Sequence, residues 1–447
     1  MGAGPAGATA ARALAKAGVT VRLLDRSKFP RNKPCGGGIS LRVLKRFPYL
    51  EPELSRISTH TVARLYLEGP GGESTVIESD GPAALMIRRL EFDDLLVSLA
   101  VDAGAELVTG ADIVQAAMDE ERVTLTARDG RRFEAPIVIA ADGVHSVIAK
   151  RLGLNRQWPA RSIALDMMEE TPRDTLRDVD PSTLWVAYGY EPGRGSVSCG
   201  SQSTHAHLSR LRAQDGNRDV EHGICKSSRA PEGYAYIFPK RDHVNVGIGY
   251  VLEHYRESIG TAPYELQRGF VDHLKRLGVI EGESKRENFT PFLIPVGGPL
   301  KHPGRGRVLL TGDAGGFVNG FTAEGIYYAM VSGELAAGAI LRTPASAVRR
   351  LASRYSRACN YEIGSELRDS VLIQRYLFGN RRRIAQVVEG AQRAPDLTRL
   401  VIEFAQGRLG YGPLRRKLLA CTPLLAARLV FERLRRLQLA FGDATGI

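Results

Sequence analysis

An α/β fold, α+β overall, is predicted by three observations. A glycine-rich turn at the start of the chain opens straight into an Ala- and Leu-rich stretch. Two short apolar runs, far apart in the sequence, each end in a turn of small residues. Through the middle of the chain apolar and polar residues alternate. The first two features belong to parallel strands that feed helices, the third to an antiparallel sheet.

The chain begins Met1, then Gly2-Ala3-Gly4-Pro5-Ala6-Gly7. Residues 5–17 are rich in the best helix formers and Gly18 stops them. Residues 19–24 read as a strand with Asp25 at its tip. Turn, helix, strand and terminal acid in this order form a Rossmann-like dinucleotide fingerprint. Gly2 permits the turn, Gly4 lets a pyrophosphate approach the backbone, and Gly7 lets the helix pack on the sheet. The helix N-terminus faces phosphate, and Asp25 can hold a ribose hydroxyl. The strand that should precede Gly2 is reduced to Met1. Such a strand lies mid-sheet, and its loss leaves neighbours unpaired. The expectation is a natural start upstream, with a few residues rich in Val, Ile and Ala.

Residues 90–103 follow a helical period and end at Gly104. Residues 122–134 alternate around Asp129-Gly130, a hairpin signal. Residues 136–140 are continuously apolar, as in a buried parallel strand, and lead through Asp142-Gly143 to a helix near His145. Alternating strands are expected at 163–168, 184–190, 196–202, 234–238 and 244–250, then a helix at 264–277. Residues 307–311 repeat the buried-strand pattern, the turn Thr311-Gly312-Asp313-Ala314-Gly315-Gly316 follows, and a helix is expected over 324–341. The remainder is helical and basic. The expected division is a nucleotide lobe from 1–60, 85–155 and 290–345, a β-rich substrate lobe from 61–84 and 156–289, and a helical region over 346–447.

The 447 residues are 43% hydrophobic and 25% charged, as in a soluble globular protein. No apolar run reaches the roughly 18 residues of a membrane-spanning helix. Cys35, Cys199, Cys225, Cys359 and Cys421 are scattered without metal spacing, so reduced thiols, no metal and a cytoplasmic location are expected. The net charge of +12 suits either general solubility or an anionic partner. Arg381-Arg382-Arg383, Arg415-Arg416-Lys417 and the run Arg433 to Arg436 punctuate apolar helices, and Pro423 breaks the apolar stretch 418–431. These helices read either as a cap on the nucleotide lobe or as an attachment to anionic lipid at the inner membrane face. No nucleic-acid module is recognisable, and His205, His207 and His243 lack partner spacing.

Asp142-Gly143 and Thr311–Gly316 both follow buried strands, where an open α/β sheet holds its ligand. An Asp there can accept from a ribityl hydroxyl while backbone amides meet phosphate. With the N-terminal fingerprint, in this order, they resemble the flavoprotein fold of p-hydroxybenzoate hydroxylase, and the resemblance implies FAD. Pro30-Arg31-Asn32-Lys33-Pro34-Cys35-Gly36-Gly37-Gly38 is similar to the cysteine-glycine signature of the geranylgeranyl reductase family. Gly233-Tyr234-Ala235-Tyr236-Ile237-Phe238-Pro239-Lys240 with Val246-Gly247-Ile248-Gly249 resembles its substrate-lobe signature, although Tyr236 stands where Trp is usual. Asn319-Gly320-Phe321-Thr322-Ala323-Glu324-Gly325-Ile326 resembles its flavin-ring loop, with Gly320 and Ala323 in place of the usual Pro and Gly. Arg89 with Phe92-Asp93 matches a further element placed near FAD.

The resemblance implies an FAD-dependent oxidoreductase that reduces carbon–carbon double bonds of a geranylgeranyl-type lipid or prenyl diphosphate by hydride transfer from reduced flavin. NADPH or another reductant would dock transiently, since no second fingerprint appears. The implied FAD contacts are Gly2, Gly4, Pro5, Ala6, Gly7, Asp25, Arg26, Cys35, Gly36, Gly37, Arg89, Asp142, Gly143, Gly312, Asp313, Ala323, Glu324, Gly325 and Ile326. The last four act through backbone at a helix start, with the Glu324 carboxylate favoured by the helix dipole alone. The implied substrate contacts are Tyr234, Tyr236, Phe238, Pro239, Gly247 and Gly249. Tyr234, Tyr236 and Phe238 alternate on one strand and share a face, either lining a lipid tunnel or packing a core. Cys35 and Tyr236 are the candidate catalytic residues; Cys35 reads as a thiol at the flavin or as a small buried hydrophobe. Two rivals remain at this point: a flavin monooxygenase of an apolar or aromatic molecule, and a non-catalytic flavoprotein at the membrane surface.

Overall fold

The computed structural model describes residues 1–190 and 230–420. The expected strand at 196–202, Cys199, Cys225, Cys421, His205, His207 and the run Arg433 to Arg436 lie outside the described residues.

The helix Pro5–Lys16 packs against the apolar helix Ile326–Leu341, and small residues set the distance. A Cβ on Gly333 would stand 2.2 Å from the Ala6 carbonyl oxygen, so no other residue fits. Beneath them the parallel pairs are Arg22–Leu24 with Glu106–Val108, and Val138–Ala140 with Val308–Leu310. Met1 and Gly2 bridge the two pairs. Gly2 N donates to Leu24 O at 2.7 Å, Ala141 N to Met1 O at 2.8 Å, and the terminal amine to Ile139 O at 2.8 Å. The expected hairpin is present, with Gly130 at φ +87° and Asp129 accepting from Arg131 N. A third strand, Ile113–Met118, joins it.

Among the described residues the second sheet has seven strands, in the order Phe289–Ile294, Ala164–Pro172, His243–Val251, Gly233–Pro239, Thr183–Tyr188, Arg64–Glu68 and Ser74–Glu78. Only the contact of Thr183–Tyr188 with Arg64–Glu68 is parallel. One face buries Trp185, Ile237, Val246 and Ile248 against Leu266, Phe270 and Leu274 of the helix Pro263–Arg276. The opposite face presents Met168, Val186 and Tyr236.

Two expected boundaries shift. Residues 290–294 belong to the large sheet, because the strand Phe289–Ile294 hydrogen-bonds to Ala164–Glu169. Residues beyond 346 do not stand apart. Leu351, Tyr355 and Cys359 of the helix Leu351–Cys359 lie in the same core as Phe92 and Met330, and Tyr355 donates to Leu310 O at 2.7 Å. The helix expected from 324 begins at Ile326, after a turn in which Ala323 adopts φ +55°. The helices Ser365–Phe378, Arg381–Arg393 and Pro395–Ala405 follow. Among the described residues no helix is long and apolar enough to cross a membrane.

Candidate active site

A cavity of about 1510 Å³ runs from the N-terminal turn, along the exposed face of the large sheet, to the underside of the C-terminal helices. It exceeds the roughly 300–1000 Å³ of a pocket for one small ligand, so a cofactor and a substrate can share it.

At its polar end the three glycines divide their labour. A Cβ on Gly2, which has φ +88°, would strike Ala141 O at 2.2 Å, and one on Gly7 would strike Gly2 O at 1.8 Å. Gly7 therefore docks the helix, and it is not among the residues that line the cavity. Gly4 does line it, and a Cβ there would stand 3.6 Å from the guanidinium tip of Arg31 and 3.9 Å from that of Arg89. Arg89 holds Asp93 through two bonds of 2.6 and 2.7 Å, and Arg31 reaches the same carboxylate at 3.0 Å. Asp93 is 0% exposed. Two guanidinium charges thus share one buried carboxylate, and Arg31 Nη1 is buried with no partner among the described residues. A buried orphan donor of this kind calls for a ligand acceptor, and the first turn of Pro5–Lys16 adds its free N–H groups. Asp25 accepts from Ala3 N and Ser27 N, both at 2.8 Å. Each of its oxygens keeps a lone pair for a ribose hydroxyl. Arg26 lies beside it at the cavity wall. The residues fit a dinucleotide.

The other two turns meet this end differently from the expectation. Asp142 and Gly143 line the cavity, but Asp142 accepts from Ser146 Oγ at 2.6 Å and Ile148 N at 3.2 Å. Its carboxylate secures the start of the helix Val147–Arg151, and burial raises its pKa. Gly312 N donates to Ser332 Oγ at 2.9 Å, so that amide is not free for phosphate. Asp313 stays at the cavity wall beside Gly325.

Further along, the cysteine-glycine loop is bound to the large sheet. Asn245 Nδ2 donates to Cys35 O at 2.8 Å. A Cβ on Gly36 would stand 2.8 Å from the Phe238 ring. One on Gly37, at φ +75°, would stand 2.1 Å from Ile87 O and 3.0 Å from Lys240 Nζ. Lys240 is fully buried and paired with Glu170, which also binds Arg88 at 3.0 Å. Burial disfavours the charge of Glu170, but Lys240 and Arg88 hold its pKa below the usual range. The two signatures noted in the sequence are thus one structural unit. Cys35 lines the cavity, its Sγ accepting from Gly37 N at 3.4 Å. The loop before Ile326–Leu341 closes over the same region, where Tyr234 donates to Thr322 O at 3.0 Å. Glu324 does not serve the helix dipole. Its carboxylate accepts from Ser40 N at 3.1 Å, and burial raises its pKa. Ala323, Glu324, Gly325 and Ile326 all face the cavity.

At the apolar end Tyr234, Tyr236 and Phe238 line one wall, with Leu377, Phe378 and Ile384 of the C-terminal helices nearby. Pro239, Gly247 and Gly249, expected as substrate contacts, are not among the residues that line it. A Cβ on Gly247 would stand 2.3 Å from the Tyr236 ring, and one on Gly249 3.1 Å from Asp166 Oδ1. These glycines make room for side chains that face the cavity, not for a ligand. Tyr236 donates to Asp166 Oδ2 at 3.0 Å. Burial, opposed by Tyr236 and Lys33, pushes Asp166 up to about 7. Arg31, Lys33 and Asp166 escaped the sequence reading as site residues. The first two sit inside the quoted cysteine-glycine segment, and Asp166 is the lone charge among apolar residues of a predicted strand.

Comparison with known proteins agrees with this geometry. Residues 1–223 match a family model described as an FAD binding domain. The chain is 31% identical over 349 residues to a menaquinone reductase of Mycobacterium tuberculosis, covering 75% of this chain and 74% of the relative. It is 30% identical over 367 residues to a digeranylgeranylglycerophospholipid reductase of Methanopyrus kandleri, covering 79% and 81%. A crystal structure of a geranylgeranyl bacteriochlorophyll reductase-like protein from Thermoplasma acidophilum superposes with a TM-score of 0.70 at 18% identity, over 94% of this chain and 97% of that one. Fold, site and matched domain define an FAD-dependent oxidoreductase. Within that class, the chain belongs to the geranylgeranyl reductase family.

Proposed function

We propose that the protein reduces carbon–carbon double bonds in the prenyl chain of an isoprenoid lipid. The observation that carries this reading is the continuity of the cavity. From the cysteine-glycine loop it runs without a break into a channel walled by aromatic and aliphatic side chains, a shape suited to a long apolar chain and not to a compact polar molecule. The relatives support it: two curated relatives are named for geranylgeranyl substrates, a lipid and a diphosphate, and another for menaquinone.

Bound FAD in its two-electron reduced form supplies hydride. Arg31, Arg89 and the amides of the first helical turn would hold its diphosphate, and Asp25 its ribose. Cys35 and the backbone of 323–326 would border its reactive ring. The chain's own task is to hold an unactivated alkene against that ring, exclude water and deliver a proton. Tyr234 and Phe238 shape the channel, and Tyr236 presents the hydroxyl. NADPH or another reductant is the proposed electron donor, docking transiently.

The C-terminal helices are proposed to rest on a membrane surface, from which the prenyl chain enters. Leu372 is 62% and Tyr376 59% exposed on Ser365–Phe378, with Arg375 on the same helix and Arg382 on the next. Apolar side chains flanked by arginines favour an anionic interface.

The test is anaerobic. The FAD-loaded protein is reduced by two electrons and mixed with a geranylgeranyl-bearing lipid in detergent. Reoxidation of the flavin with a mass gain of two hydrogens per bond is expected. Oxidation that requires oxygen, with an oxygen atom in the product, would replace this reading with a monooxygenase.

A further inference from the structure

We infer that Tyr236 and Asp166 act together as the proton supply of this site, Tyr236 giving its phenolic hydrogen to a carbon of the substrate double bond and Asp166 replacing it from behind. The inference rests on the reaction proposed above and adds a residue and a step to it.

The geometry is specific. Both side chains line the cavity, are buried, and are bonded to each other at 3.0 Å. Asp166 is held between Phe292 and Gly249, its register partners on the neighbouring strands, and neither offers a charge or a hydrogen-bonding side chain. Tyr236 lies over Gly247, the one residue that leaves its ring room. The titratable groups that face the pair are Lys33 and Cys35 from the cysteine-glycine loop and Tyr234 from the same strand. Lys33 Nζ sits 4.6 Å from the Phe292 ring.

The direction of the Asp166–Tyr236 bond decides what the pair can do. With Asp166 ionised, Tyr236 must donate to it, and the phenolic hydrogen is turned away from the substrate. With Asp166 protonated, its O–H donates to the Tyr236 oxygen and the phenolic hydrogen is free to point into the cavity. Burial raises Asp166 to about 7, so both states are populated near neutral pH.

In the balanced step the π bond breaks and one carbon takes hydride from reduced flavin, which is oxidised by two electrons. The other carbon takes H⁺ from the Tyr236 O–H bond. The Asp166 O–H bond breaks in turn, its proton passing to the phenolic oxygen. Asp166 is left as carboxylate and regains a proton from solvent before the next turnover. The product carries two added hydrogens, and no further reactant is required.

The experiment compares FAD-loaded wild type, Asp166→Asn and Tyr236→Phe, with the visible flavin spectrum as the check that each is folded. Infrared difference titration should show a protonated carboxyl band in wild type that disappears with rising pH near neutrality. Glu169, also pushed up to about 7 by burial, contributes to the band in every protein, so the part that belongs to Asp166 is the intensity lost in Asp166→Asn and displaced in Tyr236→Phe. In anaerobic single turnovers with a geranylgeranyl-bearing lipid, each substitution should slow flavin oxidation by roughly 100-fold or more, with reduction of the flavin unchanged. The double substitution should add little to Tyr236→Phe. The wild-type rate should fall as pH rises through the infrared transition, and Asp166→Asn should lose that dependence. A carboxyl band no weaker in Asp166→Asn than in wild type overturns the pair whatever the substrate. A normal rate in Asp166→Asn overturns it too. A band that behaves as described in an enzyme whose flavin no prenyl lipid oxidises overturns the reaction proposed above, and the relay's role with it.

Discussion

Replacing Asp166 by Asn should remove a defined pH dependence of stability. In the folded chain burial moves this carboxyl from 3.8 to about 7, while the bond to Tyr236 and the charge of Lys33 pull the other way. A carboxyl with a raised folded pKa binds its proton more tightly in the native state. Stability therefore falls as pH climbs above the unfolded value, and levels off above the folded one. The rise from 3.8 to about 7, at about 1.4 kcal/mol per pH unit, makes the full cost about 4 kcal/mol. Between about pH 5.5 and pH 8, where unfolding is convenient to measure, about 2 kcal/mol of it should appear. Asn can still bond to the Tyr236 oxygen and has no charge to bury. Glu169, also pushed up to about 7 by burial, is present in both proteins and cancels. Urea unfolding of the FAD-loaded proteins, followed by far-ultraviolet circular dichroism at both pH values, measures the difference. The variant should gain on wild type by about 2 kcal/mol on going from the lower pH to the higher. A difference that stays constant, or moves toward wild type, would mean that Asp166 is not held in an environment that resists its charge.

Arg31→Gln removes the guanidinium whose Nη1 lacks a partner, and the loss of a bond to a charged group, about 1.5–3 kcal/mol, should weaken FAD binding roughly 10- to 100-fold. Titration calorimetry reads this directly, and unchanged affinity would place the diphosphate elsewhere. Ala323→Gly should stabilise the protein by about 1 kcal/mol, since φ +55° is a left-handed conformation that costs an L residue about 1–2 kcal/mol. A lowered melting temperature would contradict it. Leu372→Glu with Tyr376→Glu should reduce co-sedimentation with anionic vesicles while leaving FAD content intact. Equal sedimentation would remove this helix from the proposed membrane contact.

What could be read from the sequence is what short-range chemistry dictates. The N-terminal turn and its helix, the hairpin at Asp129-Gly130 and the strands 138–140 and 308–310 each announce themselves within a dozen residues. Asp166 does not, because an acid in an alternating strand reads as an outward-facing residue. Its burial comes from Phe292 and Gly249, which lie far along the chain. Gly247 and Gly249 enter the expected site through the family resemblance alone; in the fold the space they leave is taken by Tyr236 and Asp166. The strand Phe289–Ile294 is not announced either, because Pro291 obscures its pattern. Proline is tolerated there since the strand forms the edge of its sheet.

The loop of 35–37 and the hairpin that carries Phe238, Lys240 and Asn245 are separated by some 200 residues, 210 between Cys35 and Asn245. They nevertheless share one carbonyl, one aromatic ring and one buried cation. Such a clasp leaves neither stretch free to drift alone. A bulkier side chain in the loop demands a smaller one on the strand, and loss of the buried lysine leaves Glu170 with Arg88 as its one remaining counter-charge among the described residues. Homologous chains should therefore vary at these positions in matched pairs, and a chimera that joins one relative's loop to another's sheet should fail to assemble unless both halves of the clasp are exchanged together.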